Sequence, residues 1–158
     1  MKVKLKFSEC LNGSMVGALR YYEALFKGRT TSFPRSYVEQ GLLHHQQGAL
    51  AELAYSKLSD RYWSQHVNRF HDDDLRGVEV RYSNRKDTKV RPDDNNIWIV
   101  SMGGELPVYE YKGCIYSEDA KRPEWEKDFG NWGKPAFFVP NEHLTTDLPP
   151  TYTEEPLP

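Results

Sequence analysis

Cysteine is scarce in this chain: Cys10 and Cys114 are the only two in 158 residues. Two thiols so far apart give neither the disulfide framework of a small secreted domain nor the paired spacing of a zinc site. They read as ordinary thiols of a reducing compartment. Long apolar runs are missing as well. No stretch approaches the roughly 20 residues of a membrane span, and the opening MKVKLKFS alternates instead of building the apolar core of a signal peptide. A cytoplasmic protein with no membrane partner is the expectation. Nor does one sign of charge dominate, since 21 Lys and Arg stand against 23 Asp and Glu. That near balance excludes a nucleic-acid binder working through overall charge alone, but leaves room for an enzyme with a local basic groove. No internal repeat is visible.

What the chain does hold is aromatic and charged. Ten Tyr, four Trp and 28% charged residues make a globular profile, and the length suits one domain with a real core. Residues 1–7 alternate Val3, Leu5 and Phe7 with lysines, as a half-buried edge strand does. Val16, Leu19, Tyr21, Tyr22, Leu25 and Phe26 recur at helical spacing and predict a helix over 11–26. Arg20, Lys27, Arg29 and Arg35 gather toward its end, either as a solvated flank or as phosphate contacts. A second helix runs from Tyr37 or His44 to Asp60. Its core stripe is Leu50, Leu53, Ala54 and Leu58. Gly48, Glu52, Ser56 and Ser59 share the other side, small enough for another backbone to approach, with Glu52 as a surface acid in the plainest reading. His44, His45, His66 and His71 fall at no metal-ligand spacing and read as structural or surface residues.

Residues 62–70 suggest a strand leading into FHDDDLRGVEVRYSNRKDTKVRPDD, the most informative stretch. From Gly77 to Ser83 a strand would turn Val78, Val80 and Tyr82 to one face, with Glu79 and Arg81 on the other. Asp74 arrives five residues before Glu79. Carboxylates converging on a sheet edge repel unless a proton or a cation lies between them, and oxygen-rich sites suit hard ions such as Mg2+ or Mn2+. A wet charged face and Asp-rich turn chemistry, for Asp72 and Asp73 above all, stand beside that reading. Farther on, 84–88 predicts a turn, 89–91 a short returning strand and 92–96 another turn. IWIVSM, 97–102, reads as a central strand covered on both faces. Gly103-Gly104 predicts a turn, 107–117 a hairpin about Lys112-Gly113, 117–120 a helix start, 129–132 an aromatic loop and 136–139 a last strand. From Thr145 the chain favours extended or disordered conformations.

The order of these pieces resembles the PD-(D/E)XK nuclease superfamily, with its restriction-endonuclease-like fold. Gly48-Ala-Leu-Ala-Glu52 stands where a GxxxE-type helix would. Asp74, then Glu79-Val-Arg81, the IWIV strand, GCIYSEDAKRPEW and PAFFVPNEHL resemble small uncharacterised phage-type members over about residues 44–148. The resemblance implies an α/β (α+β) single domain, a central mixed sheet flanked by helices, and leaves the first forty residues and the tail unaccounted for. With the rest of the chain, the expectation is one domain over 1–148, with 1–36 as an extension of its core and 149–158, by composition, as a flexible Pro-rich tail. It implies metal-dependent hydrolysis of DNA phosphodiesters by Glu52, Asp74, Glu79 and Arg81. Asp74, Glu79 and the Val80 carbonyl would hold the Mg2+ or Mn2+, with Glu52 as an outer or direct carboxylate. Arg81 stands where the superfamily has lysine and cannot serve as a base. Lys86, Lys89 and Arg20 would touch nucleic acid, and a homodimer is a further expectation. The alternative is an inactive nuclease fold that binds nucleic acid or a protein partner.

Overall fold

In the computed structural model, which describes residues 1–28, 38–67, 74–128 and 133–151, α2 lies at the centre. The elements are β1 (Lys2–Lys4), α1 (Phe7–Phe26), α2 (Val38–Ser59), β2 (Val78–Tyr82), β3 (Asp87–Val90), β4 (Trp98–Glu105), β5 (Val108–Tyr116), α3 (Ser117–Ala120), β6 (Glu126–Lys127) and β7 (Ala136–Pro140). Four strands form a mixed sheet in the order β1-β5-β4-β2, parallel only between β2 and β4. Three form a small antiparallel sheet, β3-β7-β6. The protein is a single α+β domain.

Burial explains the layering. Leu50, Ala51, Ala54 and Tyr55 of α2 pack on Val78, Val80, Val100 and Met102, so both helices lie on one face of the mixed sheet. Ile99 and Ile115 point the other way, to Val90, Val139, Trp125 and Leu144. The second face is therefore covered by the small sheet together with α3, whose Ala120 packs in the same cluster. Buried Thr88 joins the two sheets, its hydroxyl bonded to Ser101 Oγ (2.7 Å) and Asn141 Oδ1 (2.9 Å). As read from IWIVSM, β4 is the strand covered on both sides.

Close helix packing comes from residues other than those expected. A Cβ on Gly17 of α1 would lie 2.4 Å from Gln46 Cα, and one on Gly13 2.7 Å from Leu50 Cδ2. Gly48 has open space around its Cβ position. The small-residue side that brings two backbones together thus belongs to α1.

Several local expectations give way to tertiary pairing. Phe7 begins α1 and is exposed instead of ending a strand. Among the described residues 61–67 no strand forms, although Trp63 is buried. The strand at 89–91 begins at Asp87 and pairs with β7, not back on β2. Gly103 and Gly104 continue β4, because the Lys112 side chain crosses Gly103 to reach the carbonyls of Ser83 (2.5 Å) and Arg85 (3.1 Å). The hairpin turn falls at Leu106-Pro107, and Lys112-Gly113 is a register shift inside β5 rather than a turn. After β7 the chain stays tied down. Thr145 pairs with Cys114, the Tyr111 hydroxyl donates to the Asp147 carbonyl, and Arg61 donates to the carbonyls of Pro149 and Pro150, each at 2.8 Å. The expected loop at 129–132 and tail residues 152–158 lie outside the described residues.

Candidate active site

Glu52 is where the helical wheel is most misleading. The plain reading makes it a surface acid, yet it is 5% exposed. Its Oε1 accepts Arg20 Nη1 at 2.5 Å, and its Oε2 accepts Arg20 Nη2 and Trp63 Nε1 at 2.8 and 2.9 Å. Arg20 Nε donates to the His66 carbonyl at 2.9 Å, so all three nitrogens of the guanidinium are used. Arg20 therefore does not stand on a solvated basic flank. It sits between α1 and α2, where Glu52's hydrogen bonds and charge outweigh burial and hold its proton more firmly than usual.

Asp74 reaches the same neighbourhood by folding back along β2. This strand is an edge of the mixed sheet, and an edge leaves backbone groups unpaired. Arg76 and Gly77 take positive φ (34° and 76°), turning the chain so that Leu75 N–H donates to the Val78 carbonyl at 3.1 Å. Asp74 Oδ2 then accepts Val80 N–H at 2.8 Å. Since the N–H and C=O of a strand residue project to the same side, the Val80 carbonyl also points to this open edge. Burial, followed by the charges of Glu52 and Glu79, holds the Asp74 carboxyl well above the ordinary carboxylate range. The three acids are thus close enough for two to act on the third. Asp72 and Asp73 lie outside the described residues.

On the opposite face of β2, Glu79 pairs with Arg81 through Nη1, and Arg81 Nη2 reaches both Asp94 oxygens at 2.9 Å. Asp94 also accepts Arg91 N–H at 2.7 Å, which fixes its turn. Burial works against the Arg81 charge, but Glu79 and Asp94 more than offset it. Among the described residues, Glu52 is thus paired with Arg20, and Glu79 and Asp94 with Arg81. Among the described residues, buried Arg81 Nε and both buried ring nitrogens of His66 find no hydrogen-bond partner. Lys89, exposed on β3, has its proton affinity lowered by burial and then by Arg91 and Arg81, which places it in the same field. Lys86 is exposed on the β2–β3 connection.

The donor chemistry fits a hard cation: two carboxylates and a backbone carbonyl at an edge, with the Asp74 carboxyl raised well above its ordinary range by burial and then by Glu52 and Glu79. Among the described residues, no three His, Cys, Asp or Glu side chains are already grouped for a metal. Trp63 and Asp94 were missed from the sequence. Trp63 reads only as apolar, and Asp94 is hidden in a turn signal whose chemistry explains it without a partner.

No family model, curated protein or solved structure matches this chain. The site is therefore read from its own chemistry. Among the described residues, no helix is long and apolar enough to cross a membrane.

Proposed function

We propose that the protein hydrolyses DNA phosphodiesters with a divalent cation, through a PD-(D/E)XK-like site carrying arginine where that superfamily has lysine. The observation that supports this most is the buried Asp74 carboxyl, crowded by Glu52 and Glu79. Asp74, Glu79 and the Val80 carbonyl would hold Mg2+ or Mn2+, which when bound acidifies water and offsets charge on the phosphate. Glu52, fixed by Arg20 and Trp63, supplies negative potential from behind, while the Val80 N–H keeps Asp74 oriented. Arg81 stays charged, so its part is to position: its Nε–H, without a partner among the described residues, would offer a donor to a phosphate oxygen. Lys89, at the rim of the same field, would meet the DNA backbone. Digestion of plasmid and linear DNA with Mg2+ or Mn2+ tests the proposal. Glu79→Gln should abolish cleavage with the fold intact, and full residual activity would refute the assignment.

One observation favours a second reading, a scaffold that binds nucleic acid or protein without cutting. Both Glu52 oxygens are already engaged, and Glu79 is paired. The two readings part on metal binding. A ligand bound only by the native state raises stability by about 2.7 kcal/mol at a hundred times its dissociation constant. An unchanged melting curve in millimolar Mn2+ would favour the binding scaffold.

A further inference from the structure

The outer face of α1 is apolar from end to end. Phe7, Leu11, Met15, Leu19, Tyr22 and Phe26 follow one another at three- and four-residue steps, and all six are exposed, Phe7 by 83% and Phe26 by 86%. The opposite face of the same helix holds Gly13, Val16, Gly17, Tyr21 and Ala24, all buried. An amphipathic helix should bury its apolar stripe, yet this one has two such faces and α2 covers only one. With about 150–250 Å² for each large side chain, the six leave on the order of 700 Å² open. That exceeds the largest apolar patch of an ordinary monomer, about 300–600 Å². It approaches the roughly 800 Å² that each partner contributes to a stable interface.

We infer that this face pairs with the same face of a second copy, the two α1 helices running antiparallel about a two-fold axis between Val16 and Gly17. A two-fold contact requires a self-complementary surface, and the stripe is nearly palindromic about that point. Phe7 would lie over the partner's Phe26, Leu11 over the partner's Tyr22, and Met15 over the partner's Ala18, large against small at the middle. The helix dipoles favour that direction, since the start of each α1 meets the end of its partner. Side-chain charge does not choose, because Lys6 falls opposite the partner's Lys27 in this register and opposite its own copy in a parallel pair.

Sedimentation equilibrium of the full chain tests this. The wild type should sediment as a dimer at micromolar concentration. Met15→Glu with Leu19→Glu should give a monomer with an unchanged circular dichroism spectrum, because both positions are exposed, and a melting temperature that no longer rises with protein concentration. A monomeric wild type, or a dimer that survives both charges, would overturn the inference. Orientation is read by cysteine pairs in a Cys10→Ser background. Met15→Cys with Ala18→Cys should cross-link on oxidation. Leu11→Cys alone should not, since antiparallel helices hold the two copies of that position about 16 Å apart; cross-linking there would refute the antiparallel arrangement. A monomer that floats with anionic vesicles would instead assign the face to a lipid surface and sink the dimer.

Discussion

Glu52→Ala is the sharpest probe of the acid cluster, because what it leaves behind is worse than what it removes. Arg20 and Glu52 side chains are 11% and 6% exposed, so the surviving guanidinium cannot simply turn to water. Breaking a buried ion pair by deleting one member costs about 3–5 kcal/mol. Trp63 Nε1 also loses its acceptor, which adds about 1–3 kcal/mol for an unsatisfied buried donor. Water entering the vacated space offsets part of this, so a net loss of about 4 kcal/mol is expected. For a chain of this size that lowers the melting temperature by about 8–16 °C. Urea denaturation of E52A, R20A and the double variant should give a coupling energy of about 2–3 kcal/mol. Arg20→Met with Glu52→Met should recover most of the loss, since an apolar pair no longer buries charge. If E52A costs less than about 1 kcal/mol, the range of an exposed ion pair, Glu52 is a surface acid after all and the site argument fails with it.

The remaining expectations concern pH and packing. Asp74 binds its proton more tightly in the folded protein than the ordinary Asp value of about 3.9. Above that value the folded state holds more protons than the unfolded one, so this group's contribution is present at low pH and lost as pH rises through the folded value. Asp74→Asn cannot ionise but keeps an acceptor for Val80 N–H. Calorimetry from about pH 4 to about pH 8 should show a shallower loss for the variant, and parallel curves would contradict the crowding of Asp74. Near pH 8 the variant should be more stable by about 1–2 kcal/mol without metal, while losing any stabilisation by Mn2+. Gly17→Ala drives a Cβ into the Gln46 backbone and should cost about 1–3 kcal/mol despite alanine's better helix propensity. Gly48→Ala meets nothing and should gain about 0.5–1 kcal/mol. Chemical denaturation of the pair measures both, and equal effects would refute the packing described for α1 on α2.

Short-range pattern was enough wherever a residue's neighbours in sequence are also its neighbours in space. The alternation Val78, Glu79, Val80, Arg81 places β2 and its two faces, IWIVSM marks the strand covered on both sides, and the 3.6-residue recurrence finds both long helices. Asp74 and Glu79 could be paired on paper because one turn separates them. Tertiary structure alone decided the rest, since those partners are supplied by distant segments. Periodicity puts Glu52 opposite Leu50 and Leu53, but α2 is buried on more than one side, and only the arrival of Arg20 from 32 residues earlier makes a buried carboxylate tolerable. In the same way Lys112 turned a Gly-Gly turn signal into strand, and β7 rather than β2 claimed β3. A sequence states which side chains are apolar, and the fold decides which polar ones it can bury, because that depends on a charge or a hydrogen bond brought from elsewhere in the chain.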